Sequence, residues 1–341
     1  MIQLLRKNLI VIVIFLILVT MFVCITIGIA DVSIKQTIQV LISKITGNEV
    51  PSGIKDSTAA IIWTLRFPRV LLAFLVGGAL SICGVAYQGI FKNPMADPFI
   101  IGVSSGAALG ATIGIVLNIS FNFFGINLVT ILAFIGALAT IFLVYNISRV
   151  GKKVPVSTLL LSGVAVSQLL LSIVSLFMVF SDSLHKIIYW TMGSFNAKSW
   201  NHLVVVLPYV IIGFIILYLV SREMDIMLLG EDTASQLGVN TEKLKMTILI
   251  TTAFLIASTV SVTGIIGFVG LIIPHVVRIL VGPKHAKLLP YSFFIGGIFM
   301  IICDTISRSL ISQEIPVGIV TSIFGGPFFI YLLKRKKSGG M

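Results

Sequence analysis

Charge is what this chain has least of. Only 11% of its 341 residues are Asp, Glu, Lys or Arg, 57% are apolar, and the mean hydropathy is +1.11. So little charge excludes a water-soluble globule around one core and predicts an all-α integral membrane protein. Acidic residues are the scarcer sign, 12 against 24 Lys+Arg. In a soluble protein the surplus of +12 would suggest nucleic acid. Here the basic residues fall in short gaps between apolar runs, where they set membrane orientation, and no nucleic-acid partner is expected. Cysteine is nearly absent. Cys24, Cys83 and Cys303 each sit inside an apolar run without CxxC or Cys/His spacing, which leaves no disulfide framework or thiolate metal site.

Catalytic motifs are missing as well. No GxxxxGK[ST], HExxH or GxSxG stretch occurs, and His185, His202, His275 and His285 are scattered over loops and helix ends. The chain is therefore not expected to be an enzyme or to hold a cofactor or metal. An ion-coupled carrier keeps costly ionisable groups deep in its spans, whereas Asp97, Arg278, Asp304 and Arg308 all fall near predicted span ends. The leading expectation is a pore-forming subunit driven by a separate ATPase. An ion-coupled secondary transporter, or a scaffold or channel without a motor, remains the rival.

What the chain has is long apolar runs. Stretches free of Asp, Glu, Lys and Arg cover 8–30, 70–91, 98–148, 154–181, 199–221, 246–277, 288–303 and 315–333, and about 20 apolar residues cross a bilayer. The third is twice too long and breaks at "LNISFNFFGIN" (117–127); the sixth breaks at "GIIGFVG" (264–270). Ten transmembrane helices result. Arg6 and Lys7 before the first span and "KRKK" (334–337) after the last agree with the positive-inside rule only for an even number, with both termini cytoplasmic. An offset of 180 residues aligns Ser81, Gly84 and Pro94 with Ser261, Gly264 and Pro274, a hint of the inverted repeats found in many transporters. "SIKQTIQVLISKI" (33–45) reads as a surface helix with one apolar face, to which no function is assigned.

One polar island interrupts this body, "LLGEDTASQLGVNTEKLK" (228–245), in the longest predicted cytoplasmic segment. Glu231 and Asp232 suit the first turn of a short helix, Gly238 its left-handed stop, and Asn240 the cap of a second helix running into the seventh span. Ala234 and Ser235 are placed on its surface, where small residues permit close approach. Two readings fit, a docking surface and an ordinary solvated loop.

"GEDTASQLGVNTEKLK" resembles the coupling segment of ABC importer permeases for iron-siderophores and vitamin B12. Three further stretches are similar to the same family: "RFPRVLLAFLVGGALSICGVAYQGIFKNPMADPFIIGVSSGAALG" (66–110), "WTMGSFNAKSW" (190–200), and "GIIGFVGLIIPHVVRILVGPKHAKLLP" through "EIPVGIVTSIFGGPFFIYLL" (264–333). The resemblance implies the type II ABC importer permease fold, with 1–341 as a single transmembrane permease domain containing a coupling segment at 226–245. It implies as partners a second permease subunit, identical or a sister chain, two ABC ATPase subunits and an extracytoplasmic solute-binding protein, all at a bacterial cytoplasmic membrane in contact with lipid. The implied cargo is an iron-siderophore or similar chelate, with haem or cobalamin as alternatives.

The same resemblance assigns residues. Gly230, Glu231, Asp232, Ala234, Gln236, Leu237 and Gly238 would couple to the ATPase. Arg66, Arg69 and Arg308 would grip glutamates of the binding protein. Snorkelling to headgroups is the alternative for Arg66 and Arg69, which bracket Pro68 at what reads as the start of the second span. Asp304, one turn before Arg308, is a rival partner for that arginine. Asn93, Pro94 and Met95 in "NPMADP" (93–98) would form the inner gate, the alternative being a plain helix-terminating loop. "GVSSGAALGA" (102–111) is expected to pack helices closely. In 190–200 the two tryptophans suit an outer interfacial belt, and Gly193 with Ser194 a turn after a short helix.

Overall fold

The computed structural model describes residues 2–338 apart from 29, 31, 124, 152 and 312; side chains at 2–10, 122, 123, 333 and 335–338 are left undescribed. Among the described residues six helices are long and apolar enough to cross a membrane, and the shorter apolar helices Val11–Thr26, Val103–Leu117, Val269–Val281 and Val317–Leu332 complete the ten positions that the charge-free runs mark.

The chain opens with α1 (Ile2–Thr26) and the amphipathic α2 (Ile34–Thr46). Ser33 and Gln36 form a reciprocal capping box at the start of α2, and Gly47 ends it at φ 74°. The isoleucine stripe of α2 points away from the protein. Ile34, Ile38, Ile42 and Ile45 are exposed, while Thr37, Val40 and Ser43 pack inward.

The helix of the second span starts at Asp56, twelve residues before Pro68. A short α3 (Asp56–Ala60) passes through a π turn (Ile61–Arg66) into α4 (Phe67–Ile90), so Arg66 and Arg69 lie well inside a continuous 35-residue helix. The π turn is what lets Pro68 sit there. Phe67 N–H bonds the Ile62 carbonyl five residues back, and in the same register Pro68, with no N–H, would leave the Trp63 carbonyl bare. The indole Nε1 of Trp200 donates to that carbonyl at 2.9 Å, within an aromatic cluster of Trp63, Phe67 and Trp200. Arg66 and Arg69 therefore do not stand at a helix N-terminus, where the sequence places them.

The break at 117–127 is a tight antiparallel pair, Asn122–Phe123 with Ile126–Asn127, between α5 (Val103–Leu117) and α6 (Leu128–Ser148). Asn127 caps α6 through its side chain. α5 and α6 pack closely: a Cβ on Gly106 would strike Thr140 and the Gly136 carbonyl, which gives the small residues of 102–111 their packing role. Then come α7 (Val156–Phe180), the short α8 (Leu184–Thr191), a turn at Gly193 with φ 71°, and α9 (Trp200–Leu219).

After α10 (Ser221–Met227) and α11 (Glu231–Gln236), α12 (Thr241–Thr263) ends at Gly264 (φ 75°) and α13 (Val269–Val281) follows the predicted break. α14 (His285–Ser309) and α15 (Val317–Ser338) close the chain. α4 lies at the centre, almost wholly buried, with α14 as its main neighbour and α12 and α13 beside it. Glycines set that closeness, since a Cβ on Gly77 would enter the Gly296 carbonyl and one on Gly84 the Gly270 carbonyl. The 180-residue alignment pairs unlike places: Gly84 is inside a helix and Gly264 ends one, and Pro94 lies in a loop while Pro274 is within α13.

Candidate functional site

At one end of the helices the polar island folds as its local chemistry dictates. Glu231 and Asp232 occupy the first turn of α11, Gly238 stops it at φ 87°, and the Asn240 side chain accepts from Lys243 N–H at 3.0 Å to start α12. Ala234 departs from expectation. It is fully buried, because the helix turns it toward the body and the chain closes over it through Val239 N–H bonded to the Ala234 carbonyl. Ser235, Gln236 and Gly238 are exposed, and so are two large apolar side chains, Leu229 at 65% and Leu237 at 59%.

Two side chains that sequence reasoning missed hold this segment to the spans. Lys245 is buried and bonds Glu231 at 3.1 Å, Glu242 at 2.7 Å and the Val154 carbonyl at 3.1 Å. Glu242 in turn accepts from Val154 N–H at 3.1 Å. One ammonium thus ties α11, α12 and the strap before α7; the Glu242–Lys245 spacing was the available signal. On the other side, Asp225 of α10 takes both the backbone N–H of His285 at 2.9 Å and its Nδ1 at 2.6 Å, capping α14. Burial alone would raise the Asp225 carboxyl, but these hydrogen bonds hold it below the usual carboxylate range.

The turn at 93–98 follows α4. The Asn93 side chain accepts from Met95 N–H at 3.0 Å, an Asx turn that lets the chain reverse before Pro98. Pro94 and Met95 line a cavity of about 440 Å³ with Leu271, His275, Phe328 and Leu332, while Asn93 is exposed beside it.

At the opposite end of α4 the structure brings Arg66, Arg69 and Arg308 together around a cleft of about 470 Å³, with Lys198 and Glu314 on its wall. All three arginines are nearly buried, and each is engaged. Arg69 grips Asp304 through Nε at 3.0 Å and Nη2 at 2.8 Å, and reaches Glu314 through Nη1 at 3.0 Å. Arg66 donates to the carbonyls of Ile25, Thr26 and Ala30 at 3.1, 2.9 and 2.6 Å. Arg308 donates to the carbonyls of Cys24 and Ile27, with Asp304 at 3.5 Å from its Nε. Two guanidiniums therefore finish the C-terminus of α1, where unpaired carbonyls and the helix dipole favour positive charge.

α14 connects the two ends. From His285, held by Asp225 near the island, to Asp304, held by Arg69 at the cleft, the helix rises about 28 Å. Among the described residues no group of three or more His, Cys, Asp or Glu could hold a metal ion. The arrangement offers no reacting centre. It offers a polar segment with two exposed leucines at one end, a charged cleft at the other and α14 between them.

The sequence of an uncharacterized ABC transporter permease protein, YvrB of Bacillus subtilis, is 43% identical over 82% of this chain and 80% of its own length. The cobalamin import system permease BtuC of Halobacterium salinarum is also 43% identical, over 84% of this chain and 76% of its own. A solved structure described as an inward-facing metal-chelate type ABC transporter superimposes with a TM-score of 0.84 at 32% identity, covering 96% of this chain and 99% of that one. The family model described as the FecCD transport family matches residues 16–335. The chain belongs to that family and is an integral membrane permease subunit of an ABC importer, whose ATP hydrolysis takes place on separate subunits.

Proposed function

We propose that this permease carries an iron(III)-siderophore or a similar metal chelate inward across a bacterial cytoplasmic membrane. The observation that carries the reading is its close superposition on a metal-chelate type transporter over nearly its whole length. Relatives named for hemin and Fe(3+)-citrate transport support an iron-bearing cargo, and those named for cobalamin and molybdate import support the alternatives. In this reading residues 1–341 act as one permease domain of ten crossings with both termini cytoplasmic, and a second permease subunit completes the pore.

The coupling segment 226–245 presses its exposed face into the ATPase. Gly230, Glu231, Asp232, Gln236, Leu237 and Gly238 form that face or shape it, and buried Ala234 seats α11 against the body. Closure of the ATPases moves α11, and the Lys245 and Asp225 ties pass the motion to α12 and α14. The turn of Asn93, Pro94 and Met95 opens or closes the inner mouth. Outside, carboxylates of a solute-binding protein engage the cleft of Arg66, Arg69 and Arg308, with Glu314 as the internal group they displace.

Vesicles containing the permease pair, its ATPases and the loaded binding protein test the cargo. Radioiron supplied as a hydroxamate or catecholate chelate is expected to accumulate with ATP inside the ATPase compartment. Accumulation of cobalamin or molybdate with exclusion of both iron chelates would overturn the iron reading.

A further inference from the structure

We propose that a second outer cavity, beside the arginine cleft, is a receiving site for the anionic groups of the chelate, with Lys198 and Lys186 as its cationic contacts. The inference rests on the importer reading and adds a site to it. The cavity has a volume of about 500 Å³ and lies between α5, the start of α6, α8 and the end of α12. Among the described residues its polar lining comprises amides, hydroxyls, His185 and the two lysines, with no carboxylate. Tyr189 and Trp190 supply flat aromatic walls.

Lys198 is the distinguishing residue. Among the described residues the buried cations Arg69, Arg308 and Lys245 each have a carboxylate within ion-pair distance, and Arg66 is bonded by backbone carbonyls. Half-buried Lys198 has neither an ion pair nor a side-chain hydrogen bond among them. Its backbone is fixed by its N–H to the Phe195 carbonyl at 3.3 Å, and the preceding turn by Ser194 Oγ accepting from Asn196 N–H at 3.0 Å. Burial pushes its amine down to about 8. A partly desolvated ammonium without a counterion is costly, and an anion arriving from outside removes that cost. Lys198 and Asn196 also line the arginine cleft, so the two cavities adjoin at this residue. Cargo released above the cleft meets the Lys198 charge, a second one at Lys186, and donors from the Asn127 amide and the Tyr189 hydroxyl, while the Thr130 hydroxyl is already given to Asn127 Oδ1. Carboxylate or phenolate groups on a ferric chelate match that set, as charge-assisted hydrogen bonds are the strong ones.

The test needs no ATP, so its failure is separable from a failure of the importer reading. The full-length permease in phosphatidylcholine nanodiscs is treated with an amine-acylating reagent near pH 8, and mass spectrometry follows Lys198, with exposed Lys44 of α2 as the internal control. Fe(III)-citrate at several times its dissociation constant is expected to slow Lys198 acylation at least about fivefold and leave Lys44 unchanged. Lys186→Gln should weaken that protection about tenfold in citrate concentration, as loss of one charge-assisted contact does. Equal Lys198 rates with and without Fe(III)-citrate would overturn the site. Discs of phosphatidylglycerol separate the other source of anion: protection there without chelate, to which Fe(III)-citrate adds nothing, would assign the cavity to a lipid headgroup and overturn the proposal. Unchanged protection in Lys186→Gln would overturn the part given to Lys186.

Discussion

Arg69→Ala destabilises the permease by about 3–5 kcal/mol, because it leaves buried Asp304 with only the longer contact to Arg308 at 3.5 Å and Glu314 with no guanidinium. Asp304 is 1% exposed and takes two of the three Arg69 contacts, so it has no water to fall back on. Arg69→Lys should recover little, since an ammonium cannot reproduce the fork that holds Asp304 and Glu314 at once. The double variant Arg69→Met with Asp304→Leu removes this pair together, leaves Arg308 on the carbonyls of Cys24 and Ile27, and should unfold at a higher temperature than Arg69→Ala alone. Thermal unfolding of the detergent-solubilised protein checks the set. If Arg69→Ala were as stable as the unaltered chain, the ion pair would have no structural role. The docking assignment is read on the same cleft through Glu314→Gln, which frees Arg69 Nη1 and should tighten binding of the solute-binding protein; unchanged or weaker binding would contradict competition for that guanidinium.

Leu237→Asp is expected to release the ATPase at least about tenfold more readily while leaving thermal unfolding of the permease unchanged. Burial of a leucine contributes about 1.5–3 kcal/mol, and Leu237 stands largely in solvent until a partner covers it. Glu231→Gln works by another route. It removes one of two carboxylates from buried Lys245, loosening α11 from the spans, so it should uncouple ATP hydrolysis from transport more than it weakens docking. Co-purification and an ATPase assay separate these effects. A Leu237→Asp permease that retained its ATPase at full strength would remove 226–245 from the docking surface.

Local chemistry explains what was readable beforehand. Gly238, Gly264 and Gly193 stop or turn the chain where positive φ is needed, and Asn127 and Asn240 start helices with their own side chains. Those signals lie within a few residues of the feature they set. Pro68 misled because a proline ordinarily opens a helix, and the compensation for it comes from Trp200, 132 places later in the chain and visible only once α9 is packed on the π turn. The partners of Arg69 are as remote: Asp304 lies 235 positions away and Glu314 245. The Asp304–Arg308 spacing suggested a local pair, yet the closer contact of Asp304 is to Arg69. Ala234 was assigned to the surface because smallness alone does not say which side of a six-residue helix meets the body.

The central claim is that this permease has no engine of its own and is driven from its cytoplasmic end. Vesicles carrying the permease pair and loaded binding protein, with and without the ATPase subunits, measure it directly. Accumulation is expected only when ATPase and ATP are present together, and it should survive an ionophore that collapses every ion gradient. Uphill accumulation with no ATPase, abolished by the ionophore, would contradict the account.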